Sequence, residues 1–179
     1  YAYLKSGGSE EGVPGYLEST FAVRRDRAET VRRIISSQRR SLPADISGAV
    51  DLYIHVPFCD GRCNYCSFPS ADISRKGADG LLARYTDALI KEIAAVKGFV
   101  SARGERILSV YVGGGTPSVL GEDELARLLE AVDADGCEFT FEAGRADSFT
   151  EEKARLMKEG GVTRVCVNPQ TLNDDTLSR

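Results

Sequence analysis

Residues 52–68 read LYIHVPFCDGRCNYCSF, an apolar run that leads directly into three closely spaced cysteines. The apolar part belongs to residues 50–57, whose β-branched and aromatic side chains predict a strand that stops at a proline. Cys59, Cys63 and Cys66 follow in a loop, at Cys-x3-Cys-x2-Cys spacing. The stretch therefore predicts a strand whose carboxyl end carries a group of thiols.

Strands and helices alternate along the rest of the chain. The further predicted strands are residues 107–115, 137–144 and 163–169, and the predicted helices are 81–97, 122–133 and one that a capping box at Ser148–Glu151 begins. Strands that alternate with helices of about 10–15 residues predict an α/β fold with parallel strands and right-handed crossovers. The alternation does not separate a doubly wound open sheet from a (β/α) barrel.

An unusual motif follows each predicted strand. The cysteine loop follows the first strand and GGGTP, residues 113–117, follows the second. Glu142 closes the third strand, and residues 168–170 (Asn-Pro-Gln) close the fourth. Because both candidate architectures bind ligands at the carboxyl ends of their strands, we expect a single site at this edge of the sheet.

The three clustered thiols favour an iron–sulfur cluster. Zinc sites usually combine two Cys-x2-Cys knuckles, and the sequence has no second knuckle. Cys137 and Cys166 lie within apolar predicted strands, where buried free cysteine is a common structural residue. Electron-transfer clusters normally have four cysteines, whereas three leave one iron open to a substrate or cofactor. A structural zinc site and a chance grouping are the alternatives.

Composition narrows the class of protein. The chain has 179 residues, 42% of them hydrophobic and 28% charged, and a net charge of −4, so it can form a core and has no general affinity for nucleic acid. It contains no apolar run of the roughly 18 residues needed for a transmembrane segment, and no signal peptide is recognisable. Clustered rather than dispersed cysteines predict a reducing, cytoplasmic location. The chain lacks an initiator methionine and ends in the apparent start of a helix, which predicts a fragment of a longer protein.

Residues 1–47 differ in character from the rest of the chain. A loop-like segment precedes an arginine-rich helix predicted over Arg24–Arg40, with Val31, Ile34 and Ile35 on its apolar face. A solvated face is the ordinary interpretation of such a charged helix, and a patch for an anionic ligand is the alternative. We predict that residues 1–47 are the end of an N-terminal segment with a basic helix and that residues 48–179 form the first part of the α/β core.

The cysteine stretch resembles the signature of the radical S-adenosylmethionine (SAM) superfamily. More narrowly, it is similar to the branch of oxygen-independent coproporphyrinogen III oxidase and its haem-chaperone relatives. The resemblance runs from residue 50 to residue 179, through YVGGGTPSVL, FEAGRADSFTEEK and TRVCVNPQTLNDDTL. The EAGR and NPQT forms most resemble the Firmicute-type coproporphyrinogen dehydrogenase subgroup. The resemblance implies a partial (β/α) TIM-type barrel, truncated here after about four βα units.

The resemblance also implies a role for each motif. Cys59, Cys63 and Cys66 would bind a [4Fe–4S] cluster whose open iron takes the methionine part of S-adenosyl-L-methionine. The implied cofactor-binding residues are Tyr53, Tyr65, Gly113, Gly114, Gly115, Thr116, Pro117, Glu142 and Gln170. The residues with an implied catalytic role are Tyr53, His55, Glu142 and Gln170. Glycines are suited to this place because they let the backbone approach a ligand closely.

Structural interpretations of three of these residues stay open. Tyr65 is a loop aromatic that could simply pack on the barrel. His55, the only histidine, could be structural rather than catalytic. Glu142 could form a salt bridge with Arg145 instead of binding a cofactor, since a carboxylate at the end of an apolar strand needs a partner.

The implied activity is the oxidative decarboxylation of coproporphyrinogen III propionates to vinyl groups through a 5′-deoxyadenosyl radical. Reduced flavodoxin or ferredoxin would donate the electron. The oxidase has a further cysteine two positions after the third, where this chain has Phe68, and that form also occurs in the haem-binding relatives. A chaperone that binds haem and delivers it to partner proteins is therefore the alternative, and a cluster-bearing electron carrier is a poorer one.

Overall fold

The computed structural model describes residues 2–41, 45–74, 80–134 and 136–178. The chain divides into two compact units, residues 1–47 and 48–179. Within the described residues, no helix combines the length and the apolarity that crossing a bilayer requires.

The N-terminal unit is helical. Its helices are α1 (Ala2–Lys5), α2 (Val13–Phe21) and α3 (Arg25–Ser41). The Tyr3 and Tyr16 rings stack with their centroids 4.5 Å apart, and Ile35 of α3 is buried while Ile34 is half exposed. Acidic side chains pair with arginines of α3, as in the 2.9 Å contact between Arg32 and Glu29. The predicted apolar face of this helix is therefore only partly covered within the unit.

The second unit is an α/β structure. Its strands are β1 (Ala49–Val56), β2 (Phe58–Cys59), β3 (Ala71–Asp72), β4 (Arg106–Gly114), β5 (Glu138–Glu142) and β6 (Arg164–Cys166). Its helices are α4 (Leu81–Ala102), α5 (Glu122–Val132), α6 (Glu151–Glu159) and α7 (Asp174–Leu177). The four longer strands form one parallel sheet in the order β1-β4-β5-β6, and β2 pairs with β3 in a separate parallel pair. The predicted α/β class with parallel strands is confirmed.

The two faces of the sheet have different side chains. On one face, Val56 of β1, Val112 of β4 and Phe141 of β5 are fully buried in a core that also contains the apolar stripe of α5. Burying each such side chain stabilises the fold by about 1.5–3 kcal/mol. On the other face, Tyr53 of β1 stands beside Tyr111 of β4 in register, and both rings are exposed. Because side chains alternate along a strand, the same strands supply core residues to one face of the sheet and aromatic residues to the other.

One predicted helix start is wrong. The N-cap of α6 is Thr150, whose hydroxyl accepts a hydrogen bond from the backbone N–H of Lys153 at 3.2 Å. Ser148 instead ends a short 3₁₀ turn, and its hydroxyl lies 2.6 Å from that of Ser118. The serine is therefore used to connect two loops, which leaves the threonine two residues later to cap the helix.

Candidate metal and cofactor centre

The cysteine loop is closed at its base by the short β2–β3 pair. The N–H of Ala71 donates to the carbonyl oxygen of Pro57 at 2.8 Å, and that of Ile73 donates to Cys59 at 3.0 Å. Within the loop, the Cys66 N–H donates to the carbonyl oxygen of Cys63 at 3.1 Å. The loop is therefore an ordered excursion that begins directly at the end of β1.

All three loop cysteines line one open cavity. All three are unpaired thiols of intermediate exposure. The other predicted site residues that line this cavity are Tyr65, Gly115, Thr116, Glu142 and Gln170. Tyr53, His55, Gly113, Gly114 and Pro117 are not among its lining residues. The fold thus brings eight of the thirteen predicted residues to one space, and five lie beside it or beneath it.

The three loop thiols have the chemistry that an iron–sulfur cluster requires. Among the described residues, no three His, Cys, Asp or Glu side chains are placed to hold one metal ion. A mononuclear site requires ligands that converge on one point, whereas each cysteine of a cubane cluster binds a different iron. Three free thiols that line one cavity therefore fit a [4Fe–4S] cluster.

The glycines of GGGTP allow two segments of the backbone to lie close together. A Cβ on Gly114, which has φ +130°, would lie 2.5 Å from the carbonyl oxygen of Val56. A Cβ on Gly115 would lie 2.5 Å from the carbonyl oxygen of Phe58 and 2.8 Å from Cys59 Sγ. The Gly115 N–H donates to the carbonyl oxygen of Val56 at 2.9 Å. The close approach that the glycines permit is thus between the end of β4 and the start of the cysteine loop.

Two hydroxyl groups flank the first cysteine. Thr116 Oγ1 donates to Cys59 Sγ at 3.5 Å, and Ser70 Oγ lies 3.2 Å from the same sulfur. Thr116 is buried, and Pro117, also buried, begins the 3₁₀ turn that follows. When Cys59 is a thiolate, both hydroxyls can donate to it, which stabilises the negative charge on the sulfur.

An aromatic row lies across the exposed face of β1 and β4. The ring of Tyr53 stacks on Tyr111 at a centroid distance of 5.9 Å and on His55 at 6.1 Å. His55 meets Phe68 of the cysteine loop edge to face at 5.7 Å. Its Nε2 is buried and has no hydrogen-bond partner among the described residues. A buried nitrogen without a partner costs free energy, so this histidine is prepared for a ligand or a water molecule.

Glu142 is held by a tyrosine. The Tyr111 hydroxyl donates to Glu142 Oε1 at 2.6 Å, and this bond together with partial burial raises the pKa of Tyr111 to about 12. Arg145 pairs with Asp147, donating from Nε at 3.0 Å and from a terminal nitrogen at 2.6 Å. That pairing raises the pKa of the Arg145 guanidinium. The alternative of a salt bridge between Glu142 and Arg145 is therefore wrong.

The mouth of the cavity is bridged by a long-range hydrogen bond. The Tyr65 hydroxyl donates to Gln170 Oε1 at 2.8 Å and so connects the cysteine loop to the segment after β6. Gln170 has a φ of +65°, which an L-residue adopts at a cost. Tyr65 is 71% exposed, so the alternative that it simply packs on the barrel is not what the described residues show.

Three residues at the site escape prediction from the sequence. Lys153 donates from Nζ to the carbonyl oxygens of Ser118 and Ser148, at 2.7 and 3.0 Å, and thereby ties the loop after β4 to the loop after β5. Tyr111 had one available signal, its place one strand beyond Tyr53 in the same alternation. Ser70 and Lys153 have none, because Cys59 is 11 residues from Ser70 and Ser118 is 35 residues from Lys153.

A family model, the radical SAM superfamily, matches residues 53–179. The oxygen-independent coproporphyrinogen-III oxidase-like protein HemZ of Bacillus subtilis is 29% identical over 97% of this chain and 36% of its own length. The heme chaperone HemW of the same organism is 34% identical over 71% of this chain and 33% of its own. An anaerobilin synthase from Escherichia coli O157:H7 is 35% identical over 68% of this chain and 27% of its own length. The chain spans about a third of the length of these relatives.

A solved structure has a similar fold. Coproporphyrinogen III oxidase (HemN) from Escherichia coli matches with a TM-score of 0.60 and 23% identity, over 72% of this chain and 29% of its own. The parallel sheet is thus the same arrangement as in a solved radical SAM enzyme. Proteins of this superfamily use a [4Fe–4S] cluster and S-adenosylmethionine. With the matching family model over residues 53–179 and the cysteines around a common cavity, the chain belongs to the radical SAM superfamily.

Proposed function

We propose that this chain carries the cluster- and cofactor-binding part of an oxygen-independent coproporphyrinogen III dehydrogenase, which converts propionate side chains to vinyl groups. One observation carries the proposal: three thiols from the loop after β1 share a cavity with Glu142 at the end of β5 and Gln170 after β6. A carboxylate and an amide beside an open iron are suited to the ammonium and hydroxyl donors of S-adenosylmethionine.

In this proposal, Cys59, Cys63 and Cys66 each bind one iron of the [4Fe–4S] cluster, and Glu142 and Gln170 orient the cofactor. When bound, the cluster and S-adenosylmethionine supply hydrogen-abstracting radical chemistry. The hydroxyls of Thr116 and Ser70 moderate the charge on Cys59, since both lie within hydrogen-bonding distance of its sulfur.

We assign to the residues beside the cavity the role of holding its shape. In this role Gly113, Gly114 and Pro117 let β4 and its 3₁₀ turn pack closely under the loop. Tyr53 and His55 form a flat aromatic wall whose buried imidazole nitrogen is available to a ligand.

The partners follow from the same chemistry. Reduction of the cluster needs a low-potential electron, and we assign its delivery to reduced flavodoxin or ferredoxin. The free thiols are compatible with a cytoplasmic location, where thiols stay reduced. We assign residues 1–47 to the end of an N-terminal segment and residues 48–179 to the core that binds the cofactor.

The dehydrogenase proposal is supported by how far the alignments extend. The alignment with the oxidase-like relative runs through both units of this chain, over 97% of it, whereas the alignment with the chaperone covers 71%. A haem chaperone is the second candidate. Phe68 favours it, because this residue lies against His55 in the position where the oxidase has a cysteine.

The test uses the natural full-length protein, reconstituted anaerobically with iron and sulfide. It is given a reductant, S-adenosylmethionine and coproporphyrinogen III, and the porphyrins and nucleosides are separated by chromatography. Protoporphyrinogen IX formed together with 5′-deoxyadenosine and methionine is the expected result. Cofactor cleavage without any porphyrin conversion would contradict the dehydrogenase and favour the chaperone.

Cysteine variants test the ligand assignment separately. Cys63→Ala should lose the visible absorbance of the cluster. The matched control is Cys137→Ala, because Cys137 donates to the carbonyl oxygen of Ile107 at 3.2 Å and is not among the cavity-lining residues. Full cluster content in Cys63→Ala would show that the ligands are misassigned.

A further inference from the structure

Tyr111 connects two strands at the site. It lies on β4 opposite Tyr53 of β1, while its hydroxyl reaches Glu142 at the end of β5, at 2.6 Å from Oε1. Because Thr140 is its partner in register on β5, the tyrosine leans two residues toward the carboxyl end of the sheet to reach the carboxylate. One side chain thus joins three neighbouring strands.

The space around this contact is shaped for both side chains. A Cβ on Gly113 would lie 2.8 Å from Cε1 of Tyr111 and 3.1 Å from Glu142 Oε2. A larger residue at position 113 would therefore displace the ring or the carboxylate. On the other side, the ring of Tyr111 is supported by the stack with Tyr53 at 5.9 Å.

The contact restrains a carboxylate that would otherwise move. Glu142 is half-buried and lines the cavity with the cysteines, and Arg145, the nearby cation, is engaged by Asp147. A glutamate held by one oxygen loses less conformational freedom when its second oxygen accepts a ligand. A phenol is suited to this because it donates one hydrogen bond without neutralising the carboxylate charge.

We propose that Tyr111 is a positioning residue, which holds Oε1 of Glu142 so that Oε2 accepts a hydrogen bond from the ammonium or hydroxyl group of S-adenosylmethionine. The inference rests on the proposed function and adds a residue to its site. Because the raised pKa of Tyr111 keeps the phenol protonated, the bond persists throughout the pH range of the assay.

The test removes the phenol oxygen of Tyr111 or the carboxylate charge of Glu142, and it measures cofactor affinity rather than turnover. Wild type, Tyr111→Phe, Glu142→Gln and the double variant are reconstituted anaerobically, and their iron content and visible absorbance are compared. Binding of S-adenosylmethionine is then measured by calorimetric titration. Tyr85→Phe is the matched control, since its hydroxyl also makes a 2.6 Å hydrogen bond, to the backbone oxygen of His55.

We expect Tyr111→Phe to keep a full cluster and to bind S-adenosylmethionine about tenfold more weakly, in line with the cost of immobilising one flexible side chain. The double variant should bind no more weakly than Glu142→Gln alone, because Tyr111 acts through Glu142. Tyr85→Phe should lower stability and leave the affinity unchanged.

Two results would overturn the inference about Tyr111 and leave the proposed function standing. One is wild-type affinity in Tyr111→Phe; the other is a double variant whose loss equals the two single losses combined, which would give Tyr111 an independent role. A wild-type protein that takes up the cluster and does not bind S-adenosylmethionine would overturn the proposed function and this inference together, so the two failures are distinguishable.

Discussion

Replacement of Gly115 by alanine tests the close contact between the end of β4 and the cysteine loop. The added Cβ would lie 2.5 Å from the carbonyl oxygen of Phe58, so this oxygen would have to move by about 0.9 Å to reach the 3.4 Å at which ordinary contact begins. The Phe58 oxygen cannot move freely, since it accepts a hydrogen bond from the Thr116 N–H at 2.7 Å. The nearest obstacle is thus backbone rather than the end of a flexible side chain.

The expected cost combines two effects. Overpacking of a tight site costs about 1–3 kcal/mol, and loss of the hydrogen bond to the Phe58 oxygen adds about 1 kcal/mol. We therefore expect Gly115→Ala to lower the free energy of unfolding by about 2–4 kcal/mol. Because the same Cβ would lie 2.8 Å from Cys59 Sγ, the variant should also take up less iron on reconstitution.

The assay is urea denaturation of the metal-free protein followed by iron and sulfide analysis after anaerobic reconstitution. The control is Gly98→Ala within α4, where a Cβ meets nothing within 4 Å. Alanine is the better helix former, so the control should gain about 0.5–1 kcal/mol. If Gly115→Ala unfolded like wild type and bound a full cluster, the reasoning from the tight contact would be refuted.

Three further changes have expected outcomes. Lys153→Met should destabilise the protein by about 2 kcal/mol, since two carbonyl oxygens lose a charged donor. Burial lowers the pKa of Lys153, so the stability of the wild type should rise as the pH approaches the ordinary lysine pKa of about 10.4. That rise should be missing in the variant when both proteins are denatured with urea. Ser70→Ala should make the reduction potential of the cluster more negative in a redox titration, because hydrogen bonds to Cys59 favour the reduced form; an unchanged potential would argue against that contact. Thr150→Ala should cost about 1 kcal/mol by removing the cap of α6, and thermal unfolding with no loss of stability would contradict its role.

The positions of β4 and α5 could be predicted closely from the pattern of residues. The strand predicted over 107–115 is Arg106–Gly114, and the helix predicted over 122–133 is Glu122–Val132. These elements have strong periodicity, and glycines mark their ends. The start of α6 was predicted wrongly because Ser148 and Thr150 are both capable caps. The choice between them depends on Ser118, which is distant in sequence.

The partner of Glu142 shows the same limit at the site. Arg145 is only three residues away, and sequence proximity makes it the natural candidate. In the structure Arg145 turns to Asp147, while Tyr111 reaches the carboxylate from the neighbouring strand. That contact depends on which strands are adjacent and in what register, and no local pattern contains this information.

The sequence by itself determined the α/β class, the order of the elements and the family, because these follow from periodicity along the chain and from the spacing of Cys59, Cys63 and Cys66. Only the tertiary structure decided which side chains meet at the carboxyl edge of the sheet. Parallel strands that are neighbours in space are separated by whole helices in sequence, so the contacts of Tyr111 with Glu142 and of Lys153 with Ser118 arise only when the strands pair.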